Sequence, residues 1–160
     1  MVRRTRSCVI CRGAEGDAEL SRMEVWSDSL WRLTMAVHGE VPGFSCLEPR
    51  RHTPHITDLD GKEAQTFGRT MARATKALNK AASADLVFAY VFGGGIPHLH
   101  IHLAPHREGD ALSDQMIRGE VDAKKLPSGA TVLVSKDFPL VPESRLREIA
   151  VRTRALLAGD

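Results

Sequence analysis

The chain has 160 residues, of which 42% are hydrophobic, and a formal net charge of +2. This length fits one domain with its own core, and the nearly balanced charge argues against a general nucleic-acid binder. No apolar run is long enough to cross a membrane, and the N-terminus lacks the apolar stretch of a signal peptide. We therefore expect one cytoplasmic domain with neither nucleic-acid nor membrane partners. Three cysteines are too few for a disulfide framework.

The first half of the chain predicts three short strands. Residues 1–20 look irregular, because Gly13 and Gly16 interrupt any helix there. Strands are expected over three segments rich in β-branched, aromatic and other apolar residues: 23–28, 30–36 and 44–48. Serine and aspartate separate the first two segments, and a Pro-Gly pair precedes the third, as is typical of turns.

A long helix follows these strands and begins at Asp60. Asp60 and Glu63 have the spacing of a capping box, with Asp in place of Ser or Thr. The apolar residues after them recur at helical spacing: Ala64, Phe67, Met71, Ala74 and Leu78. This stripe indicates core packing rather than a binding site.

The second half predicts two adjacent strands and a helical tail. A buried strand over 86–92, a glycine turn and a histidine-rich strand come first. Next come a short helix over 113–121, a strand over 131–135, and a last helix that begins at Pro142 and stops at Gly159. This order predicts an α+β fold, an antiparallel sheet with one long crossover helix on one face and a C-terminal helical tail.

Three histidines, His98, His100 and His102, stand at alternate positions in the segment HLHIHLA. A strand would place them on one face and the apolar residues between them on the other, against the core. A neutral imidazole is a competent nucleophile, because its pKa lies near about 6.5. A central ring can attack phosphorus while its neighbours bind the phosphate oxygens, so the row indicates phosphoryl chemistry or metal binding.

A second motif, Cys8-Val9-Ile10-Cys11, has the spacing of two zinc ligands. The same spacing occurs in redox pairs, which favour a helix N-terminus after a strand. No strand is predicted before Cys8, so we favour zinc, although zinc needs two further ligands.

The histidine row resembles the His-φ-His-φ-His-φ-φ signature of the histidine triad (HIT) superfamily, with φ apolar. Residues 48–52 resemble the segment before that family's helix, and residues 105–110 resemble the stretch after its triad. The resemblance covers roughly residues 8–120, which leaves 121–160 as a C-terminal extension of a single HIT-like domain.

The resemblance implies an activity and the residues that perform it. His100 would attack the α-phosphate of a nucleotide, and His102 would contact the phosphate. The backbone N–H groups of Gly94 and Gly95 and the side chain of His106 would also bind the nucleotide. Products would be a nucleoside monophosphate and an amine, nucleoside phosphate or sugar phosphate. The family also implies a two-fold homodimer.

Zinc-bearing HIT proteins complete their zinc site with one histidine from before the helix and one from the triad. The matching residues are His52 and His98, which with Cys8 and Cys11 would form a structural site. His55 is a rival for the position of His52.

The chain also departs from the family's pattern. Gly94 and Gly95 stand where many HIT hydrolases carry a Ser or Gln, and Ala36 stands where they carry a ribose-binding acid. Pro97, together with the cysteine pair, resembles galactose-1-phosphate uridylyltransferase, whose last triad position is Gln. His102 at that position favours a nucleotide hydrolase, and the alternatives are a nucleotidyl transferase and a non-catalytic nucleotide-binding module.

Overall fold

The computed structural model describes residues 7–92, 94–108, 110, 121–135 and 139–159. In chain order, the strands are β1 Arg22–Ser27, β2 Trp31–Ala36, β3 Ser45–Pro49, β4 Leu86–Tyr90, β5 Ile101–His106, β6 Val121–Lys125 and β7 Thr131–Ser135. The helices are α1 Ala14–Glu19, α2 Gly61–Ala82 and α3 Glu143–Ala158, with 3-10 turns at Ile10–Arg12 and Ile56–Asp58. Five strands form one antiparallel sheet in the order β1-β2-β3-β5-β4, and β6 pairs with β7 in a separate hairpin.

The two faces of the sheet have different chemistry, as the alternation of side chains requires. One face is apolar except for the buried Ser45 and packs against α2 and α3; its central residues are Leu33, Leu47, Ile101 and Leu103. The register places Thr34, Cys46, His102 and Tyr90 side by side on the opposite face. The α+β class, the antiparallel sheet and the helical tail are therefore confirmed.

Helix α2 lies against the apolar face through four residues of its predicted stripe, Phe67, Met71, Ala74 and Leu78, whereas the fifth, Ala64, is exposed because it lies in the first turn beyond the core. The start of the helix also differs from the predicted capping box. Asp60 occupies the N-cap without capping the helix through its side chain. Its carboxylate instead accepts a hydrogen bond from Arg51, and Glu63 accepts one from Arg51 at 3.1 Å. The arginine competes successfully because a charge-assisted bond is stronger than one to a backbone N–H.

The prediction of an irregular N-terminus is wrong, because α1 spans Ala14–Glu19. Gly13 does not interrupt this helix but occupies its N-cap with φ +64°, a left-handed conformation that favours glycine. Gly16 lies inside the helix, where a Cβ atom would come within 1.8 Å of the carbonyl oxygen of Val9. Glycine thus permits the close approach of α1 to the preceding turn.

The C-terminal region contains one strand that the sequence did not predict. Strand β6 pairs with the predicted β7, and the predicted helix over 113–121 lies outside the described residues except for Val121, which begins β6. Pro142 is the N-cap of α3 rather than its first helical residue, and Gly159 is the C-cap. Helix α3 contributes Ile149 and Leu157 to the main core. The boundary near residue 120 stays a prediction. Over the part of the chain that is described, no helix has the length and apolar character needed to cross a membrane.

Candidate active site and metal cluster

The triad runs along the chain into β5, which lies between β3 and the edge strand β4. His98 and His100 precede the strand, and His102 lies in it. The two apolar residues between the histidines, Leu99 and Ile101, are 2% and 1% exposed. His100 and His102 are partly exposed, as the predicted alternation requires, but His98 is buried like the apolar residues, and the strand itself starts only at Ile101.

His98 turns away from the open face and is only 1% exposed. Its Nε2 lies 2.9 Å from the carbonyl oxygen of Pro49, which can only accept, so Nε2 carries the proton. The lone pair of Nδ1 therefore faces the sulfur atoms of Cys8 and Cys11, at 3.5 and 3.4 Å. Burial lowers the pKa of His98 to about 4, which keeps this ring neutral and able to bind a metal.

His100 is oriented by the backbone of its neighbour. Its Nδ1–H donates to the carbonyl oxygen of His98 at 2.6 Å, so Nε2 holds the lone pair. His100 lines a cavity of about 680 Å³, which is within the usual range of small-molecule sites. Its ring centroid lies 5.0 Å from that of His102, with the two planes at 74°. The central ring is thus fixed at one nitrogen and available as a nucleophile at the other.

His102 lies among aromatic rings rather than polar groups. Its ring stacks on Tyr90 with the centroids 5.0 Å apart and the planes at 14°, and Phe44 lies on it at 5.7 Å. Burial, followed by the nearby His100, lowers the pKa of His102 to about 4. Its Nδ1 is buried and has no hydrogen-bond partner among the residues described. His102 is therefore a neutral imidazole with an unused polar atom.

Four side chains form a metal-type cluster behind the triad: Cys8, Cys11, His52 and His98. Their donor atoms all lie within 4.8 Å of one another. His52 Nδ1 is 3.4 Å from Cys11 Sγ, whereas the rival His55 is exposed and begins the 3-10 turn Ile56–Asp58. The cysteines are held in place because their turn buries Val9 and Ile10 against Ile96. Burial raises the pKa of the Cys8 thiol to about 11.

A buried charge network beside this cluster was missed by sequence reasoning. Arg22 and Arg32 both donate to the carboxylates of Asp17 and Glu48. Burial alone would raise the pKa of Glu48, but the two guanidinium groups hold it below its usual value. The only signal in the sequence was that each of β1, β2 and β3 contains a charged residue among apolar ones. The network joins α1 to three strands beneath the cavity.

The cavity that contains His100 and His102 is closed on one side by the C-terminal hairpin. Lys124, Leu126, Thr131 and Val132 line it, and the backbone N–H of Ser128 donates to Glu19 at 2.8 Å. The extension beyond residue 120 therefore forms a wall of the cavity in its own chain.

The predicted nucleotide-binding residues also line this cavity. Gly94 has open space at its Cβ position, whereas a Cβ on Gly95 would come within 2.6 Å of the carbonyl oxygen of Thr131. His106 lines the cavity at its far end and donates from Nδ1 to Asp110 at 2.7 Å. Ala36 lines it as well, at the position where the family pattern has an acid.

Known proteins resemble the chain in sequence and in fold, although no protein-family model matches it. An uncharacterised HIT-like protein of Mycobacterium tuberculosis is 27% identical over 128 residues, which cover 72% of this chain and 84% of that protein. A histidine triad protein from Bradyrhizobium japonicum superposes with a TM-score of 0.68 at 18% identity, covering 88% of this chain and 93% of that one. A zinc-bound histidine triad family protein from Mycobacterium smegmatis superposes with a TM-score of 0.63 at 21% identity, covering 96% and 94%.

The five-stranded sheet, with the triad running into β5, defines an α+β protein of HIT-like fold. Within that class, the chain is similar in sequence to HIT-like proteins and in fold to histidine triad proteins.

Proposed function

We propose that the chain is a hydrolase that cleaves at the α-phosphate of a nucleotide ester, dinucleoside polyphosphate or nucleoside phosphoramidate. The observation that carries this proposal is the orientation of His100. Its Nδ1–H is bonded to the backbone, and its ring lines a cavity of about 680 Å³. A fixed imidazole with a free Nε2 lone pair is the nucleophile that attack on phosphorus requires.

The reaction proceeds in two displacements. His100 Nε2 forms a bond to the α-phosphorus as the bond to the leaving group breaks, and the leaving group takes a proton from solvent, to which the attacking water of the second step returns one. Water then attacks the nucleotidyl-histidine, the phosphorus–nitrogen bond breaks, and a nucleoside monophosphate is released with His100 restored. His102, as a neutral ring, donates one hydrogen bond to the phosphate oxygens. His98 acts through its carbonyl oxygen, which orients His100.

The remaining nucleotide contacts follow from the cavity lining. Gly94 and Gly95 bring backbone N–H groups to the phosphate, and the Nε2 of His106 reaches the more distant part of the ligand. Because Ala36 cannot accept hydrogen bonds from a ribose, either the sugar is held by other groups or the preferred substrate is not an ordinary ribonucleotide.

The cluster behind the triad fits a zinc ion. Two sulfur and two nitrogen donors within 4.8 Å of one another are the set that structural zinc prefers, and four protein ligands leave no open position. Cys8, Cys11, His52 and His98 would hold the ion, and its role would be to tie the N-terminal turn to the segment that carries His100. The zinc-bound relative from Mycobacterium smegmatis supports this assignment.

Two alternatives use the same fold. A nucleotidyl transferase would pass the nucleotide to phosphate or a sugar phosphate, but His102 at the last triad position favours water as the acceptor. A non-catalytic nucleotide-binding module would bind without turnover, and Ala36 is the observation that favours it. The superfamily also supports a homodimer, for which β1 and β4 offer the free sheet edges. The cytoplasmic location stays a prediction.

The test is an intact-mass measurement of the protein mixed with adenosine phosphoramidate and diadenosine polyphosphate. Quenching in denaturant at neutral to alkaline pH preserves the acid-labile phosphorus–nitrogen bond. We expect a nucleotidyl adduct or released monophosphate with the wild type, and neither with His100→Ala. His55→Ala is the matched control, because that histidine lies outside the triad and the metal cluster. Turnover by His100→Ala would refute the mechanism, and binding without turnover by the wild type would favour the binding module.

A further inference from the structure

The Nδ1 atom of His102 lacks the contact that orients the other two triad rings, although the backbone of Tyr90 contributes a hydrogen bond to the ring. A functional imidazole usually donates or accepts at its second nitrogen, as His98 does to Pro49 and His100 does to His98. The Nδ1 of His102 is buried and has no partner among the residues that the structure describes. Something other than a hydrogen bond at Nδ1 must therefore hold the ring.

The aromatic contacts of His102 come from both neighbouring sides of its strand. Tyr90 stands directly opposite His102 in the β4–β5 pair, and its ring is stacked on the imidazole at 5.0 Å with an interplanar angle of 14°. Phe44 lies 5.7 Å away at 37°, and Phe92 lies 5.9 Å away at 51°. Only Tyr90 is close to parallel, so it alone defines the plane of the imidazole.

We propose that Tyr90 is the positioning residue of His102, and that its ring face, rather than its hydroxyl group, fixes the imidazole that binds the phosphate. The inference rests on the proposed function for the role of His102, but the stacking is a property of the protein alone. An offset-stacked aromatic pair is favourable beyond the area that it buries, enough to favour one ring orientation severalfold. Stacking also leaves Nδ1 of His102 available to the substrate.

The role of Tyr90 is assigned to its ring face because its hydroxyl group is poorly suited to proton transfer in the reaction. Burial raises the pKa of Tyr90 to about 12, so the phenol stays protonated at neutral pH. Other titratable or charged groups facing His102 are His100 on its own segment, Cys46 on β3, and the Arg22–Glu48 pair. None of these stacks in parallel with His102, whereas Tyr90 does.

The experiment compares Tyr90→Phe with Tyr90→Leu. Phe keeps the ring face and Leu keeps only the apolar bulk. A matched control is Phe88→Leu, which removes a ring from the same face of the same strand, where it contacts His106 rather than His102. The first readout is the proton NMR spectrum of the His102 ring in free protein. Its carbon-bound protons are expected upfield in the wild type, Tyr90→Phe and Phe88→Leu, and near ordinary positions in Tyr90→Leu.

The second readout is the rate of nucleotidyl transfer to His100. We expect Tyr90→Leu to lower kcat about tenfold with little change in KM, and Tyr90→Phe to remain within about twofold of wild type, by analogy with other residues that orient functional histidines. Unshifted His102 signals in Tyr90→Leu, or equal losses in the Phe and Leu variants, would overturn the inference. If the wild type itself does not react, the proposed function fails, and the NMR comparison still decides whether Tyr90 fixes the ring.

Discussion

Replacing Glu48 by Gln is expected to destabilise the protein far more than any surface change of the same chemistry. Glu48 is 0% exposed, and its carboxylate accepts from Arg22 at 3.3 Å through Nη2 and from Arg32 at 2.8 Å through Nε. With Asp17, the network contains two positive and two negative charges. The substitution preserves the shape of the side chain but leaves a net buried charge of +1, which costs about 3–5 kcal/mol when one partner of a buried pair is removed.

Glu24→Gln is the matched control. Glu24 also pairs with Arg32, at 3.5 Å, but its side chain is 40% exposed. A partly exposed ion pair contributes only about 0–1 kcal/mol, so the control should lose little stability. For a chain of this length, a loss of about 3 kcal/mol corresponds to a drop in Tm of roughly 10 °C.

The assay is urea unfolding of zinc-loaded protein, followed by a double-mutant cycle. Adding Arg22→Met to Glu48→Gln restores a neutral network, so the double variant should lose clearly less than the sum of the two single losses. Equal destabilisation by Glu48→Gln and Glu24→Gln, or strict additivity in the cycle, would refute the reasoning. Either result would mean that the buried charges do not depend on one another.

Three further predictions concern the metal, the hairpin and pH. Cys8→Ser and His52→Ala should each lose stoichiometric zinc, whereas His55→Ala should retain it; metal analysis of the purified proteins decides, and full zinc in all three would mean that the ligands are wrong. Gly95→Ala should cost about 1–3 kcal/mol in unfolding, because its Cβ would come within 2.6 Å of the Thr131 carbonyl oxygen. Gly68 lies on an exposed face of α2 with open space at its Cβ position, so Gly68→Ala should instead raise the free energy of unfolding by up to about 1 kcal/mol. Equal changes in the two variants would contradict the close packing of Gly95 against the hairpin at Thr131. His102 has a folded pKa of about 4 against 6.5 in the unfolded chain, so its contribution is complete above pH 6.5 and falls as the pH drops toward 4. His102 alone should lower the free energy of unfolding by up to about 1.4 kcal/mol per pH unit in that window, and His98, whose pKa burial also lowers to about 4, adds to the decline. His102→Gln should make the decline shallower without removing it, and an unchanged slope would contradict the burial of this ring.

Several features of this protein depend only on residues that are close together in the chain, and the sequence alone predicts these features. The alternation of apolar residues with His98, His100 and His102 is a property of extended backbone, so it survives in the structure with one face in the core. The stripe on α2 follows from helical spacing in the same way. The cysteine pair needs only a short turn to bring its two sulfur atoms together, and the resemblance to HIT proteins supplied both histidines of the cluster.

Other features depend on residues that are distant in the chain, and only the tertiary structure decided them. Helix α1 contains Gly16 because the turn at Val9 packs against it, which local propensity cannot reveal. The choice of His52 over His55 depends on where the chain passes Cys11, and the stacking of Tyr90 on His102 depends on strand register. Glu48 is stable as a buried anion only because two arginines from other strands reach it. Sequence patterns report the preferences of neighbouring residues, whereas burial of charge, ring contacts and cavity walls are set by segments that meet only in the folded chain.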